Sequence, residues 1–128
     1  MENLVIKGSH DVFFVPSVNF DAATGECEIS GESYLENTYK FYYPLIEWIK
    51  QYVEEVNGPI TLTFRLTYFN SSSSKSFLDL LNVLKKYEEQ GGNITVNWYY
   101  DEEDIDEEDI EDYIIDTGVE INKFPLTK

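Results

Sequence analysis

The stretch YFNSSSSKSFLDLL, Tyr68 to Leu81, decides the fold, because two different periodicities meet inside it. Upstream, Ile60 to Phe69 sets Ile, Leu, Phe and Leu in alternation with Thr, Thr, Arg and Thr. That period of two predicts a strand with one covered face. Downstream, Phe77, Leu80, Leu81, Leu84 and Tyr87 recur at threes and fours, which predicts an amphipathic helix ending at Gly91-Gly92. The four serines at 71 to 74 therefore mark a strand running into a helix.

Outward from this unit the pattern repeats. On the N-terminal side, Phe41, Leu45, Trp48, Ile49, Tyr52, Val53 and Val56 predict a helix between Asn37 and Val56, closed by Asn57-Gly58-Pro59. Pro44 removes a backbone donor, so this helix either kinks near Lys40 or begins around Tyr43. Earlier still, Val12 to Asn19 and Glu26 to Ser30 read as a hairpin around Asp21-Ala22-Ala23-Thr24-Gly25, where Gly25 can take positive φ. On the C-terminal side, Ile94 to Tyr100 predicts another strand. Ile110, Tyr113 and Ile114 can seat a short third helix, and Gly118 to Phe124 an edge strand. Strands separated by helices favour parallel pairing through right-handed crossovers. The expectation is a single α/β domain spanning residues 1–128, with a mixed β-sheet, an N-terminal hairpin and helices packed on it.

Composition agrees with one folded domain. The chain has 128 residues, 42% hydrophobic and 16% aromatic, too rich in ring carbon for a disordered tail. Cys27 is the one cysteine, which excludes an internal disulfide framework and suits a reducing compartment, so a cytoplasmic location is expected. No N-terminal apolar stretch has the length of a signal peptide or a membrane span. With His10 the one histidine and no paired cysteines, no ligand set for structural zinc exists, and neither metal nor cofactor is expected. The net charge of −16 disfavours nucleic acid and anionic membranes as partners, since both are polyanions, and favours a basic partner surface. The charge is concentrated, with 11 of the 25 acids between Asp101 and Asp116.

That acidic segment, DEEDIDEEDIEDYIID, lacks the central glycine of an EF-hand loop. It reads as a solvated acidic helix start, as a surface for basic partners, or as an adventitious divalent-ion binder. Trp98, Tyr99 and Tyr100 read as a strand end packed in the core or as an exposed aromatic platform, and their polar tips need partners in either case. No GxSxG elbow, phosphate loop or HExxH helix is present, and the serines have no evident base, so the protein is not expected to be an enzyme.

Four hydroxyls exceed what a helix start requires. Asn70 or Ser71 can cap the helix, with the other serines as solvated spacers. Alternatively the run is a modification site. A phosphate there would add about −1.5 to −2 charges beside unpaired amide donors at the positive end of the helix dipole.

YFNSSSSKSFLDLL and NWYYDEED, together with GESYLEN leading into YYPLIEWI, resemble the SiaC family of bacterial regulatory phosphoproteins along the whole chain. The family block reads approximately FNTSSSK. The resemblance therefore implies that Ser71, standing in place of threonine, is the phospho-acceptor, with Ser72 its chemically similar neighbour and second choice. It implies a fold similar to anti-sigma-factor antagonist (STAS) domains and a partner-switching function. A dedicated Ser/Thr protein kinase and a PP2C-type phosphatase would act on the serine, and the unphosphorylated form would bind an effector, a diguanylate cyclase in one branch. Asn70, Ser71, Ser72, Ser73, Ser74 and Lys75 are then the expected partner-binding residues, on a docking face extending along the helix from Ser72 to Gln90. Lys75 would bridge to the phosphate, contact a partner carboxylate, or simply be solvated. The alternative is a constitutive acidic protein-protein adaptor that is never phosphorylated.

Overall fold

A computed structural model describes residues 1–10, 13–103, 105 and 107–126. Val12, within the expected first hairpin arm, and Asp104 and Asp106, within the acidic run, lie outside the described residues.

Among the described residues the main sheet has six strands in the order β1 (Leu4–Ile6), β4 (Ser17–Phe20), β5 (Glu26–Ser33), β6 (Ile60–Phe69), β7 (Ile94–Tyr100), β8 (Asn122–Pro125). The first three are antiparallel neighbours, and β5 through β8 are parallel. Each parallel step is bridged by one helix: α1 (Thr38–Glu55), α2 (Ser71–Glu89) and α3 (Glu107–Thr117). Strand order advances in one direction. Right-handed crossovers therefore place all three helices on one face and set α1 and α2 side by side, running the same way.

The core lies between that helix layer and the sheet. Along β6, Ile60, Leu62, Phe64 and Leu66 are buried while Thr61, Thr63, Arg65 and Thr67 face the other side. At the centre, Phe77 of α2 meets the rings of Tyr42, Phe64, Phe69, Trp98 and Tyr113. Trp98 is fully buried, stacked on Phe64 with centroids 4.2 Å apart and on Tyr113 at 5.3 Å. Its indole N–H has no acceptor among the described residues. No helix among the described residues lies on the far face of the sheet, and there Arg65 lies 4.0 Å over the Tyr99 ring, which stacks on Phe124. Trp98 and Tyr100 are thus core residues, and only Tyr99 presents its ring on the uncovered side.

Four expectations change in detail. The first hairpin arm is split: Ser17–Phe20 pairs with β5, whereas β3 (Phe14–Val15) leaves at Pro16 and pairs with β2 (Ser9–His10) in a separate two-stranded sheet. Proline has no N–H for a ladder, which explains the break. β1 is an additional edge strand. The helix containing Pro44 begins at Thr38 rather than Tyr43, because Asn37 caps it by accepting from the Lys40 N–H at 3.1 Å. The final strand is Asn122–Pro125, four residues later than the expected Gly118 start. Gly25 takes the expected positive φ, 78°, in the turn before β5.

Candidate functional site

The site forms where β6 ends. Between Leu66 and Tyr68 the pairing with β5 slips by one residue: Gly31 opposes Leu66 but Glu32 opposes Tyr68. Thr67 is the extra residue, and Gly31 accommodates the irregularity at φ 102°. A one-residue slip reverses which side chains face inward. Phe69 therefore turns onto Phe77 and Trp98, while Tyr68 turns outward to 41% exposure. The chain then enters α2 at once.

Asn70 is the N-cap. Its side-chain oxygen accepts from the Ser73 N–H at 3.1 Å, the Ser73 hydroxyl at 2.7 Å and the Ser72 hydroxyl at 3.1 Å. A serine or threonine hydroxyl has one proton to give, and an amide oxygen only accepts. Two directed chains follow. Tyr42 donates to Ser33 at 2.7 Å, Ser33 to Ser73 at 2.8 Å, and Ser73 to Asn70. In parallel, Thr38 donates to Ser72 at 2.8 Å and Ser72 to Asn70. The first chain is sealed inside the protein, with Ser33 and Ser73 both 0% exposed. Burial drives the Tyr42 phenol strongly upward in pKa, against the lowering effect of Ser33, so it remains a neutral donor.

Ser74 turns the other way, to the Tyr113 hydroxyl of α3 at 2.6 Å. Burial raises that phenol to about 12, opposed by the Ser74 hydrogen bond and reinforced by the charges of Asp109 and Asp112. Ser71 differs from its three neighbours. It is the first residue of α2, it is exposed, and its hydroxyl makes no hydrogen bond among the described residues. The backbone amides of Ser71 and Ser72 are likewise open there, as the geometry of a helix start requires.

Ser71 borders a depression of about 430 Å³ floored by Phe69 and Leu78 and walled by Asp109, Asp112 and Asp116 of α3. Within the described part of the acidic run, Glu107, Glu108 and Asp109 form the first turn of α3, the favourable end for carboxylates. No cluster of three or more metal-ligating side chains occurs among the described residues. On the strand side, Tyr68 meets Tyr34, which contacts Phe13 and Phe14, giving a partly exposed ring cluster next to the serines.

The six residues singled out from sequence are thus of three kinds. Ser71, Ser72 and Lys75 are exposed, Asn70 and Ser74 are half-buried, and Ser73 faces inward with no surface for a partner to touch. Capping falls to Asn70, not Ser71. Sequence reasoning missed Ser33, Thr38 and Tyr42 as members of the site, although Ser33 lies within GESYLEN and the other two follow closely in the next helix. Hydroxyl side chains at a strand end and a helix start were the available signal. His10 stays outside the site, exposed and 4.0 Å from Glu32. No helix among the described residues is long and apolar enough to cross a membrane.

Comparison with known proteins covers nearly the whole chain. Residues 7–126 match the family described as SiaC family regulatory phosphoprotein. An uncharacterised protein of Pseudomonas aeruginosa strain UCBPP-PA14 is 31% identical over 101 residues, 79% of this chain and 78% of that protein. SiaC of Pseudomonas aeruginosa superposes with a TM-score of 0.87 at 27% identity, covering 98% of this chain and all of that one. The same fold recurs in the complex of the diguanylate cyclase SiaD with its activator SiaC, at TM-score 0.83 and 26% identity over 96% of this chain and 99% of that one. With its mixed sheet, one-sided helices and serine-rich strand-to-helix junction, the chain belongs to the SiaC family of regulatory phosphoproteins.

Proposed function

We propose that this protein is a non-enzymatic partner switch, phosphorylated at Ser71 by a dedicated Ser/Thr kinase, dephosphorylated by a PP2C-type phosphatase, and bound to its effector when unmodified. The observation that carries the reading is the Ser71 hydroxyl, exposed and unbonded while Ser72, Ser73 and Ser74 each hold a specific partner. The effector class is a diguanylate cyclase. The support is that SiaC of Pseudomonas aeruginosa is the activator bound to the cyclase SiaD in a relative of the same fold.

The chemistry of switching is local. Phosphate on Ser71 adds a near-dianion on a rim that already faces Asp109, Asp112 and Asp116, so a partner approaching Ser71, Ser72 and Lys75 meets desolvation cost and new repulsion. The open amides of α2 offset part of that cost within the protein itself, which lets the fold keep the modification. Every ~1.4 kcal/mol of lost docking energy weakens binding tenfold.

The test is affinity capture and cyclase activation with Ser71→Ala and Ser71→Asp, alongside intact-mass analysis of the chain from its host. Ser71→Ala is expected to bind the cyclase and stay unphosphorylated, and Ser71→Asp to bind at least about tenfold more weakly. Equal binding by both variants would replace the switch with a constitutive acidic adaptor.

A further inference from the structure

Two exposed serines stand side by side at the start of α2, so accessibility alone does not choose between Ser71 and Ser72. We propose that Thr38, the first residue of α1, is the specificity-determining residue that confines phosphorylation to Ser71 by holding the Ser72 hydroxyl in a closed hydrogen-bond chain. This inference rests on the phospho-acceptor reading above and adds to it a residue on a different element.

In the transfer, the serine Oγ forms a bond to the terminal phosphorus of a nucleoside triphosphate carried by the kinase. The bond from that phosphorus to the bridging oxygen breaks, the nucleoside diphosphate leaves, and the hydroxyl proton passes to a base of the kinase. A nucleophilic hydroxyl needs a free lone pair directed at phosphorus and a proton directed at the base. Ser72 has its proton and one of its two lone pairs engaged, which restrains the rotation that would meet both demands at once. Its proton points to the Asn70 oxygen at 3.1 Å, and its lone pair accepts from Thr38 at 2.8 Å. When the Ser72 proton goes to the Asn70 oxygen, which only accepts, Ser72 is the acceptor toward Thr38.

The restraint is anchored. Thr38 is 7% exposed, and Asn37 fixes its backbone by capping α1. Ser71 is subject to neither bond. The same contact joins the first turns of α1 and α2, so it selects the acceptor and also ties together the two helix starts.

The experiment expresses five chains in the native host, wild type, Thr38→Val, Ser71→Ala, Thr38→Val with Ser71→Ala, and Thr38→Ser with Ser71→Ala, and places phosphate by intact mass and peptide mapping. Wild type is expected to carry phosphate on Ser71 and Ser71→Ala to carry none. Thr38→Val raises the Ser72 to Ser71 ratio roughly tenfold, the equivalent of about 1.4 kcal/mol. The Thr38→Val, Ser71→Ala chain regains phosphate on Ser72, and Thr38→Ser in the same background loses it again. A purely structural role for Thr38 would lower modification without moving it. Thr38→Ala takes the place of the valine variant if the latter does not fold.

A Thr38→Val chain phosphorylated on Ser71, whose Ser71→Ala version stays unmodified, overturns the role of Thr38 and leaves the acceptor assignment standing. Phosphate on Ser72 in wild type overturns both. Absence of phosphate from every chain removes the underlying reading and the selection with it.

Discussion

Replacing each of the four serines by alanine in turn gives a stability series whose order follows from their surroundings. Ser71→Ala removes a hydroxyl with no partner from an exposed helix position, so it should change stability by less than about 0.5 kcal/mol. Ser72→Ala takes away the partner of the Thr38 hydroxyl and one donor to Asn70 at a part-buried contact, about 0.5–1.5 kcal/mol. Ser74→Ala strands the Tyr113 hydroxyl, which is nearly buried, costing about 1–2 kcal/mol. Ser73→Ala is the severe case. It severs the inner chain, leaving the proton of the fully buried Ser33 without its acceptor and the half-buried Asn70 cap without its shortest donor, at about 2–3 kcal/mol. Urea unfolding with a shared slope measures all four, and a midpoint shift at constant slope isolates stability from changes in the unfolded chain. If Ser71→Ala proves as damaging as Ser73→Ala, or Ser73→Ala proves neutral, the hydrogen-bond assignment of the site is wrong and Ser71 loses its distinction.

Further outcomes follow from other parts of the structure. Phe77→Ala opens a cavity at the meeting point of five rings and is expected to cost about 3–5 kcal/mol, read as a fall in Tm of about 10 °C or more by calorimetry. Gly25→Ala both strains a backbone at φ 78° and drives a methyl group into the Pro59 carbonyl, so a loss above about 2 kcal/mol is expected in the same denaturation assay. The Tyr113 phenol keeps its proton to about 12 in the folded chain against an ordinary value of 10.0. The unfolded chain binds fewer protons in that interval, so the stabilisation is complete below pH 10 and disappears as pH climbs through 12. Tyr113→Phe should flatten urea midpoints measured across this window.

Much of the architecture was legible because periodicity and topology act together. The alternation in β6 and the three-four spacing in α2 each describe one buried face, as the spacing predicts, whereas in α1 the predicted Leu45, Trp48, Ile49 and Tyr52 are buried, Tyr42 and Ile46 join them, and Val56 is exposed. The N-terminal arm was harder. Pro16 divides what looks like one alternating run into pieces that belong to two sheets, and a short edge strand such as β1 has too few residues to establish a period. The serine run pointed to the right junction. It did not reveal which serine faces inward, because that depends on the Thr67 slip and on Ser33, Thr38 and Tyr42, all contributed by neighbouring elements rather than by the run itself.

The two indoles are unequally placed, and this gives the protein an optical readout of its own. Trp48 sits at the opposite flank, stacked on Tyr52 with its N–H donated to the Glu2 carbonyl. Trp98 lies against the ring whose hydroxyl holds Ser74, three positions along from Ser71. A Trp48→Phe chain would therefore emit from one fluorophore in a dry, ring-lined pocket, with neighbours that move if α3 shifts against α2. Time-resolved emission from that single indole would follow the junction as it is modified or bound, with no dye attached.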